Sequence, residues 1–263
     1  MNDKLIVIAG PCVVESKVLL VETASILKKI CDKLNCEFIF KSSYKKANRT
    51  SSDSFTGIGD ETALQYLKEI KDELKVKVLT DIHSVDEAEK AAHFVDVLQI
   101  PAFLSRQTEL LQAAGKTGKQ INIKKGQFMA PEDMKKAIDK VVATGNNKVM
   151  VTERGASFGY HDLVVDYRSL VIMKKFGYPV IFDATHSVQQ PSVGNQSGGK
   201  PEFIPALARA AAAVGIDGIF FETHPEPEKA LSDSASQLPL NMAELFLEDI
   251  SKIHECKRNL KLI

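Results

Sequence analysis

The chain lacks a surplus of either charge: 34 Lys and Arg balance 34 Asp and Glu, so the net charge at neutral pH is zero. Without a basic excess, nothing in the composition points to a nucleic-acid partner. Long apolar runs are also missing. None reaches the roughly 18 residues that a membrane span needs, and no signal-peptide pattern precedes the first apolar run. A cytoplasmic protein without a membrane partner is expected. Cysteine is scarce, with Cys12, Cys31, Cys36 and Cys256 and no CxxC spacing. In a reducing compartment that argues against a disulfide framework. Cys31 falls on the apolar side of a helical stretch and reads as core, and Cys36 and Cys256 suggest no chemistry. No linker divides the chain, so a single domain over residues 1–263 is expected.

What the chain does contain is a repeat. Eight short apolar runs recur, and nearly every one stops at a polar or charged residue: LIVIAGPC, FIFKSS, KVLTDIH, VLQIP, INIKK, VMVTERG, VIFDATH and IFFETH. Runs of this length, rich in Ile, Val, Leu and Phe, fit strands buried on both faces of a parallel sheet. Amphipathic stretches of helical period separate them, among them VLLVETASILKKICDKL, ETALQYLKEIKDELK, DMKKAIDKVV and FIPALARAAAAVG. Strand and helix alternating eight times predict an α/β fold of the (β/α)₈ barrel type, the TIM barrel, in preference to an open doubly wound sheet. The 263 residues match the size of about 250 usual for that barrel.

Active sites of such barrels form at the C-terminal ends of the strands, so the residues that end the runs are candidates for chemistry. One set is cationic: Lys41 with Ser43, Lys45 and Lys46, Arg49, Arg106, Lys124 and Lys125, and Arg154. Many cations at one mouth repel one another unless anions are present, and phosphates or a carboxylate would suit them. Lys124 and Arg154 close apolar runs and should be partly buried, whereas Lys45 reads as a solvated surface charge. A second set is Cys12, His186, Glu222 and Asp233, unrelated in spacing but brought together if strand eight closes against strand one. A thiolate, an imidazole and two carboxylates suit a divalent transition metal such as zinc, iron or manganese. His224 is a rival ligand, and His83 another candidate for the mouth. Two long loops, 187–200 and 225–238, follow the last two runs, where loops of a barrel often act as lids.

The longer motifs carry a resemblance. FKSSYKKANRTS (40–51), TDIH (80–83), LQIPAFLSRQT (98–108), NIKKGQF (122–128), TERGASFGYHDLVVDYRS (152–169), DATHSVQQP (183–191) and FFETHPEPEKALSD (220–233) resemble the 3-deoxy-D-manno-octulosonate 8-phosphate synthase family nearly end to end. A sister family, the 3-deoxy-D-arabino-heptulosonate 7-phosphate synthases, shares the fold and takes erythrose 4-phosphate. It typically shows a KPRTS-type motif, where this chain has Lys46-Ala47-Asn48-Arg49-Thr50. The resemblance implies condensation of phosphoenolpyruvate with arabinose 5-phosphate. By the same resemblance, Lys41, Ser43, Lys46, Gln99, Lys124 and Arg154 form the phosphoenolpyruvate site. Asn48, Arg49 and Thr50 form the sugar-phosphate site, and Arg106 reaches a neighbouring subunit of a homotetramer. Asp81 and His83 are expected to handle protons. The metal-free branch of the family typically has Asn at the place of Cys12, so the resemblance implies the metal-dependent branch, with His186 rather than His224 as ligand. Thr50 stands where Ser is usual and Lys45 where Asp is common. The rival readings are the heptulosonate synthase, a Schiff-base aldolase working through Lys124, and a catalytically silent sensor of sugar phosphates.

Overall fold

The computed structural model describes residues 4–47, 55–190 and 198–260. Eight parallel strands, β1 (Ile6–Gly10), β2 (Glu37–Lys41), β3 (Lys77–Asp81), β4 (Val97–Ile100), β5 (Gln120–Lys124), β6 (Val149–Glu153), β7 (Val180–Asp183) and β8 (Gly218–His224), pair in chain order. β8 pairs back onto β1 and closes the barrel, with Gly10 opposite Glu222. Helices α1 (Lys17–Lys33), α2 (Asp60–Leu74), α3 (Val85–Ala92), α4 (Thr108–Lys116), α5 (Met134–Val142), α6 (Arg168–Lys174), α7 (Ile204–Val214) and α8 (Ala243–Asn259) alternate with the strands. The expected (β/α)₈ barrel is the observed one.

Local chemistry explains the helix ends. Ser16 and Ser84 precede α1 and α3 and accept the backbone N–H of Leu19 and Glu87, as N-caps do. Gly215 ends α7 at φ 113°, a conformation that a side chain would strain, and donates its N–H to Ala211.

Side-chain alternation then sorts each strand into two faces. Ile6, Ile8, Ile39, Leu79, Val97, Met150, Ile181 and Phe220 form a separate buried cluster that plugs the barrel interior. The outward residues of the strands, such as Val7, Phe40, Val78, Leu98, Ile121, Val151 and Phe221, pack under the helices in the main core. Two residues beyond the plug, on the same face, the interior turns polar. Ile39 is followed by Lys41, Leu79 by Asp81, Val97 by Gln99, Ile181 by Asp183 and Phe220 by Glu222, all of them buried. A period of two therefore makes the floor and the mouth from one face of each strand. β1 contributes Gly10 at this level because nothing larger fits. A Cβ there would lie 2.1 Å from the backbone oxygen of Lys41.

Two features beyond the eight-fold repeat sit over the mouth. A hairpin, Ala156–Gly159 with Asp162–Val164, follows β6 and turns at Tyr160 and His161, both at positive φ. The chain after β8 runs through two short 3₁₀ turns and returns as Leu238–Pro239, which pairs parallel with Thr223–His224. That return carries Asp233 over the barrel end. No helix among the described residues is long and apolar enough to cross a membrane.

Candidate active site

Closure of β8 on β1 builds one side of the mouth. Ligand atoms of Cys12, Glu222 and Asp233 all lie within 4.8 Å of one another. The Cys12 thiol donates to Asp233 Oδ2 at 3.1 Å, and His186 Nε2 stands 3.8 Å from Glu222 Oε1. Cys12 and Glu222 are each only 1 % exposed. Glu222 Oε2 is buried with no hydrogen-bond partner among the described residues. An ionised oxygen left bare in the interior is costly, and a cation at this point would relieve it. The sulfur, carboxylate and imidazole donors fit a divalent transition metal. His224 is not part of this group. Its Nδ1 accepts the Glu226 N–H, and its Nε2 faces Glu15 at 3.7 Å.

The other side holds the cations. Lys41 donates to Glu222 Oε1 at 2.5 Å and to the Cys12 carbonyl at 2.8 Å. Lys46 donates to Asp233 Oδ2 at 2.9 Å, and Lys124 to Asp183 Oδ2 at 2.6 Å. Arg154 Nη2 donates to Gln189 Oε1 at 3.1 Å. The Lys124 ammonium sits 3.9 Å from the centre of the Phe220 ring, which floors the site as a cation–π partner. From β2 to β6 a chain of side-chain hydrogen bonds lines the wall. Ser43 and Gln99 both donate to Asp81, Asn122 donates to Gln99, and Thr152 donates to Asn122, at 2.5 to 2.8 Å.

The cations thus do not stand unpaired, as their number in the sequence suggests. Lys41, Lys46, Lys124 and Arg154 are balanced by Asp81, Asp183, Glu222 and Asp233. Burial opposes every charge in this set, and the opposite charges outweigh it at most positions. Burial drives the Cys12 thiol well above its ordinary value, reinforced by Asp233 and Glu222. Burial lowers Lys41, but Glu222 leads a group of anions that leaves it raised. Lys46 is raised against burial by Asp233 and Cys12. Burial raises Asp81, Asp183, Glu222 and Asp233, yet the ammonium groups of Lys41, Lys46 and Lys124 and the His186 ring beside them hold all four below the usual carboxylate range. Depressed carboxylates stabilise the fold above their unfolded values near pH 4 and lose that contribution as the pH falls below them. The urea midpoint of chelator-treated protein is therefore expected to change little from pH 8 to 6 and to fall steeply below about pH 4. A midpoint flat down to pH 3 would contradict this electrostatic account.

The candidates from the sequence divide accordingly. Cys12, Lys41, Ser43, Lys46, Asp81, Gln99, Lys124, Arg154, His186, Glu222 and Asp233 meet at the mouth. Asn48, Arg49 and Thr50 lie outside the described residues, as does 191–197 of the first long loop. Arg106 is exposed at the start of the segment leading to α4, and its carbonyl accepts Lys140. Among the described residues it makes none of the contacts that join the mouth residues. His83 bonds Glu87 through both its N–H and its Nδ1. Two expectations need correction. Lys125 ends its run on the outward phase, where it is buried 3.4 Å from Glu153 and donates to the Gly155 carbonyl, away from the anion set. Lys45 is not a solvated charge: it pairs with Glu87 at 2.6 Å and Asp60 at 3.5 Å, beside the Tyr44 ring. Asn122, Thr152 and Asp183 were missed. The available signal was their phase, each an even number of residues from a plug residue or a mouth cation.

The fold and this mouth define a (β/α)₈-barrel enzyme whose paired cations lie against a thiol–carboxylate–imidazole cluster. A family model described as the DAHP synthetase I family matches residues 1–257, and the chain belongs to that family. It is 53 % identical over 254 residues to a 2-dehydro-3-deoxyphosphooctonate aldolase of Stenotrophomonas maltophilia strain K279a, covering 96 % of this chain and 92 % of that protein. Proteins of the same name from Xylella fastidiosa strain 9a5c and Koribacter versatilis strain Ellin345 are 52 % and 54 % identical over 254 and 258 residues. These alignments cover 96 % and 97 % of this chain and 92 % of each relative.

Proposed function

We propose that the protein condenses phosphoenolpyruvate with D-arabinose 5-phosphate and water, giving 3-deoxy-D-manno-octulosonate 8-phosphate and inorganic phosphate, a step of lipopolysaccharide (KDO) biosynthesis. The observation that carries the reading is the mouth itself. Three buried cations, Lys41, Lys124 and Arg154, and the half-buried Lys46 face a transition-metal donor set in a chain more than half identical to the 2-dehydro-3-deoxyphosphooctonate aldolases over nearly its whole length. The acceptor is chosen by Ala47-Asn48 within the Lys46–Thr50 motif, against the KPRTS-type motif of the heptulosonate synthases.

In this reading carbon 3 of phosphoenolpyruvate attacks the open-chain aldehyde, water adds at carbon 2, and phosphate leaves with C–O cleavage. Lys41, Lys46, Lys124 and Arg154 hold the phosphate and carboxylate of phosphoenolpyruvate, with Ser43 and Gln99 oriented by Asp81. Asn48, Arg49 and Thr50 hold the sugar phosphate. Asp81 is held ionised by its surroundings, so it stabilises positive character at carbon 2, and the proton-carrying role falls to His83. Cys12, His186, Glu222 and Asp233 hold a divalent transition metal. When bound, that metal supplies Lewis acidity towards an oxygen of the aldehyde or of the water. The carboxylates that now neutralise Lys41 and Lys46 are the ones it would engage, which leaves those ammonium groups to the substrate anions. The assembly is read as a cytoplasmic homotetramer. The exposed place of Arg106, outside its own mouth, supports its reaching a neighbouring subunit.

The test is ³¹P NMR of the reaction. One inorganic phosphate should appear for each phosphoenolpyruvate and each arabinose 5-phosphate consumed, and borohydride added during turnover should leave the protein mass unchanged. Phosphoenolpyruvate that binds without phosphate release would favour a silent sensor. A borohydride-trapped adduct on Lys124 would favour the Schiff-base aldolase.

A further inference from the structure

One buried carboxylate joins the two halves of the mouth. Asp183, at the end of β7, is fully buried, and each of its oxygens is occupied. Oδ1 accepts the backbone N–H of His186 at 2.8 Å. Oδ2 faces His186 Nδ1 at 2.9 Å and accepts Lys124 Nζ at 2.6 Å. Lys124 Nζ and His186 Nδ1 are themselves 3.4 Å apart. Because a carboxylate only accepts, Nδ1 must carry the proton, and the lone pair of the neutral ring is then on Nε2. That nitrogen faces Glu222 on the metal side. We propose that Asp183 is a positioning residue that fixes the tautomer of His186 for metal binding and at the same time holds Lys124 for phosphoenolpyruvate, so that the metal and anion sites are built on one side chain. The inference rests on the metal reading above.

Asp183→Asn is the informative substitution. The amide oxygen can still accept the His186 N–H and keep the turn. The amide nitrogen, however, is a donor facing two donors. Its demand for an acceptor at Nδ1 moves the imidazole proton to Nε2 and removes the lone pair that would bind metal. Outer-sphere partners of this kind are worth about 10–100-fold in metal affinity. The experiment titrates chelator-stripped wild-type and Asp183→Asn protein with cobalt(II), reading the thiolate-to-metal charge-transfer absorption, and measures KM for phosphoenolpyruvate and melting temperature in parallel. The expected result is a cobalt dissociation constant raised at least about 10-fold and a raised KM. Melting falls as well, because Lys124 is left buried without its counter-charge, so the titration is run below the variant's melting temperature. Cobalt binding by the variant at the wild-type dissociation constant would overturn the inference while leaving the metal reading standing. A wild-type protein that takes up no cobalt would overturn both. Should Asp183→Asn not fold, Lys124→Gln is read instead. Lys124 shares the Asp183 carboxylate with His186 and lies 3.4 Å from its Nδ1, and removing its charge leaves the carboxylate to His186 alone. Cobalt affinity that rises several-fold supports the shared carboxylate, and unchanged affinity overturns it.

Discussion

Replacing Cys12 by serine is expected to lower kcat/KM at least about 100-fold, equivalent to roughly 2.7 kcal/mol of transition-state stabilisation. Serine nearly matches the shape of cysteine and can keep the hydrogen bond to Asp233. The change therefore removes the soft, ionisable sulfur and little else. The wild-type thiol is buried and its ionisation is opposed by Asp233 and Glu222. It gives up its proton only when a metal replaces it, so metal affinity should rise with pH. Chelation should reproduce the loss in wild type, and added divalent metal should reverse it there but not in Cys12→Ser at the same concentration. Full turnover by metal-free wild-type protein would contradict the assignment of these residues. Cys12→Asn goes further, since the family that the sequence resembles has a metal-free branch with Asn at this place, whereas this chain has the Cys of the metal-dependent one. Metal-independent activity in that variant would make the metal a positioning device.

The second large effect concerns stability. Lys41 and Glu222 form an ion pair in which both side chains are almost wholly excluded from solvent, at 2 % and 1 % exposure. Removing one partner of a buried pair leaves the other charged and uncompensated, at a cost of about 3–5 kcal/mol. Lys41→Met should therefore melt roughly 6–20 °C lower than wild type when both are stripped of metal. Glu222→Gln added to it should recover part of the loss, because the stranded charge is gone. Divalent metal should narrow the gap between Lys41→Met and wild type, by compensating Glu222 from its other side. Equal melting temperatures for Lys41→Met and wild type would show that the pair carries no such energy.

The fold was legible because a parallel barrel imposes one short apolar run per strand and one amphipathic helix between runs. The spans VLLVETASILKKICDKL and FIPALARAAAAVG fall within a residue of α1 and α7 at each end. The site was legible in its identities more than its geometry. That a run stops at a charge says nothing about which face the charge is on. Lys124 and Lys125 look alike in sequence, yet one enters the mouth and the other is buried against Glu153. Strand phase separates them: Ile121 and Ile123 pack outward in the main core, so Asn122 and Lys124 face the interior, and counting by two from the plug residue Ile181 locates Asp183. The balance of charges could not be read, because Lys41 and Glu222 lie 181 residues apart and meet only through barrel closure. The fate of Lys45 was hidden for a similar reason: Glu87 sits on a helix beyond the next strand.

The most direct test compares the two aldoses in one phosphate-release assay, with phosphoenolpyruvate saturating and metal supplied. The account expects kcat/KM for arabinose 5-phosphate to exceed that for erythrose 4-phosphate at least about 100-fold. Equal or greater efficiency with erythrose 4-phosphate would assign the chain to the heptulosonate reaction and contradict the reading of its acceptor site.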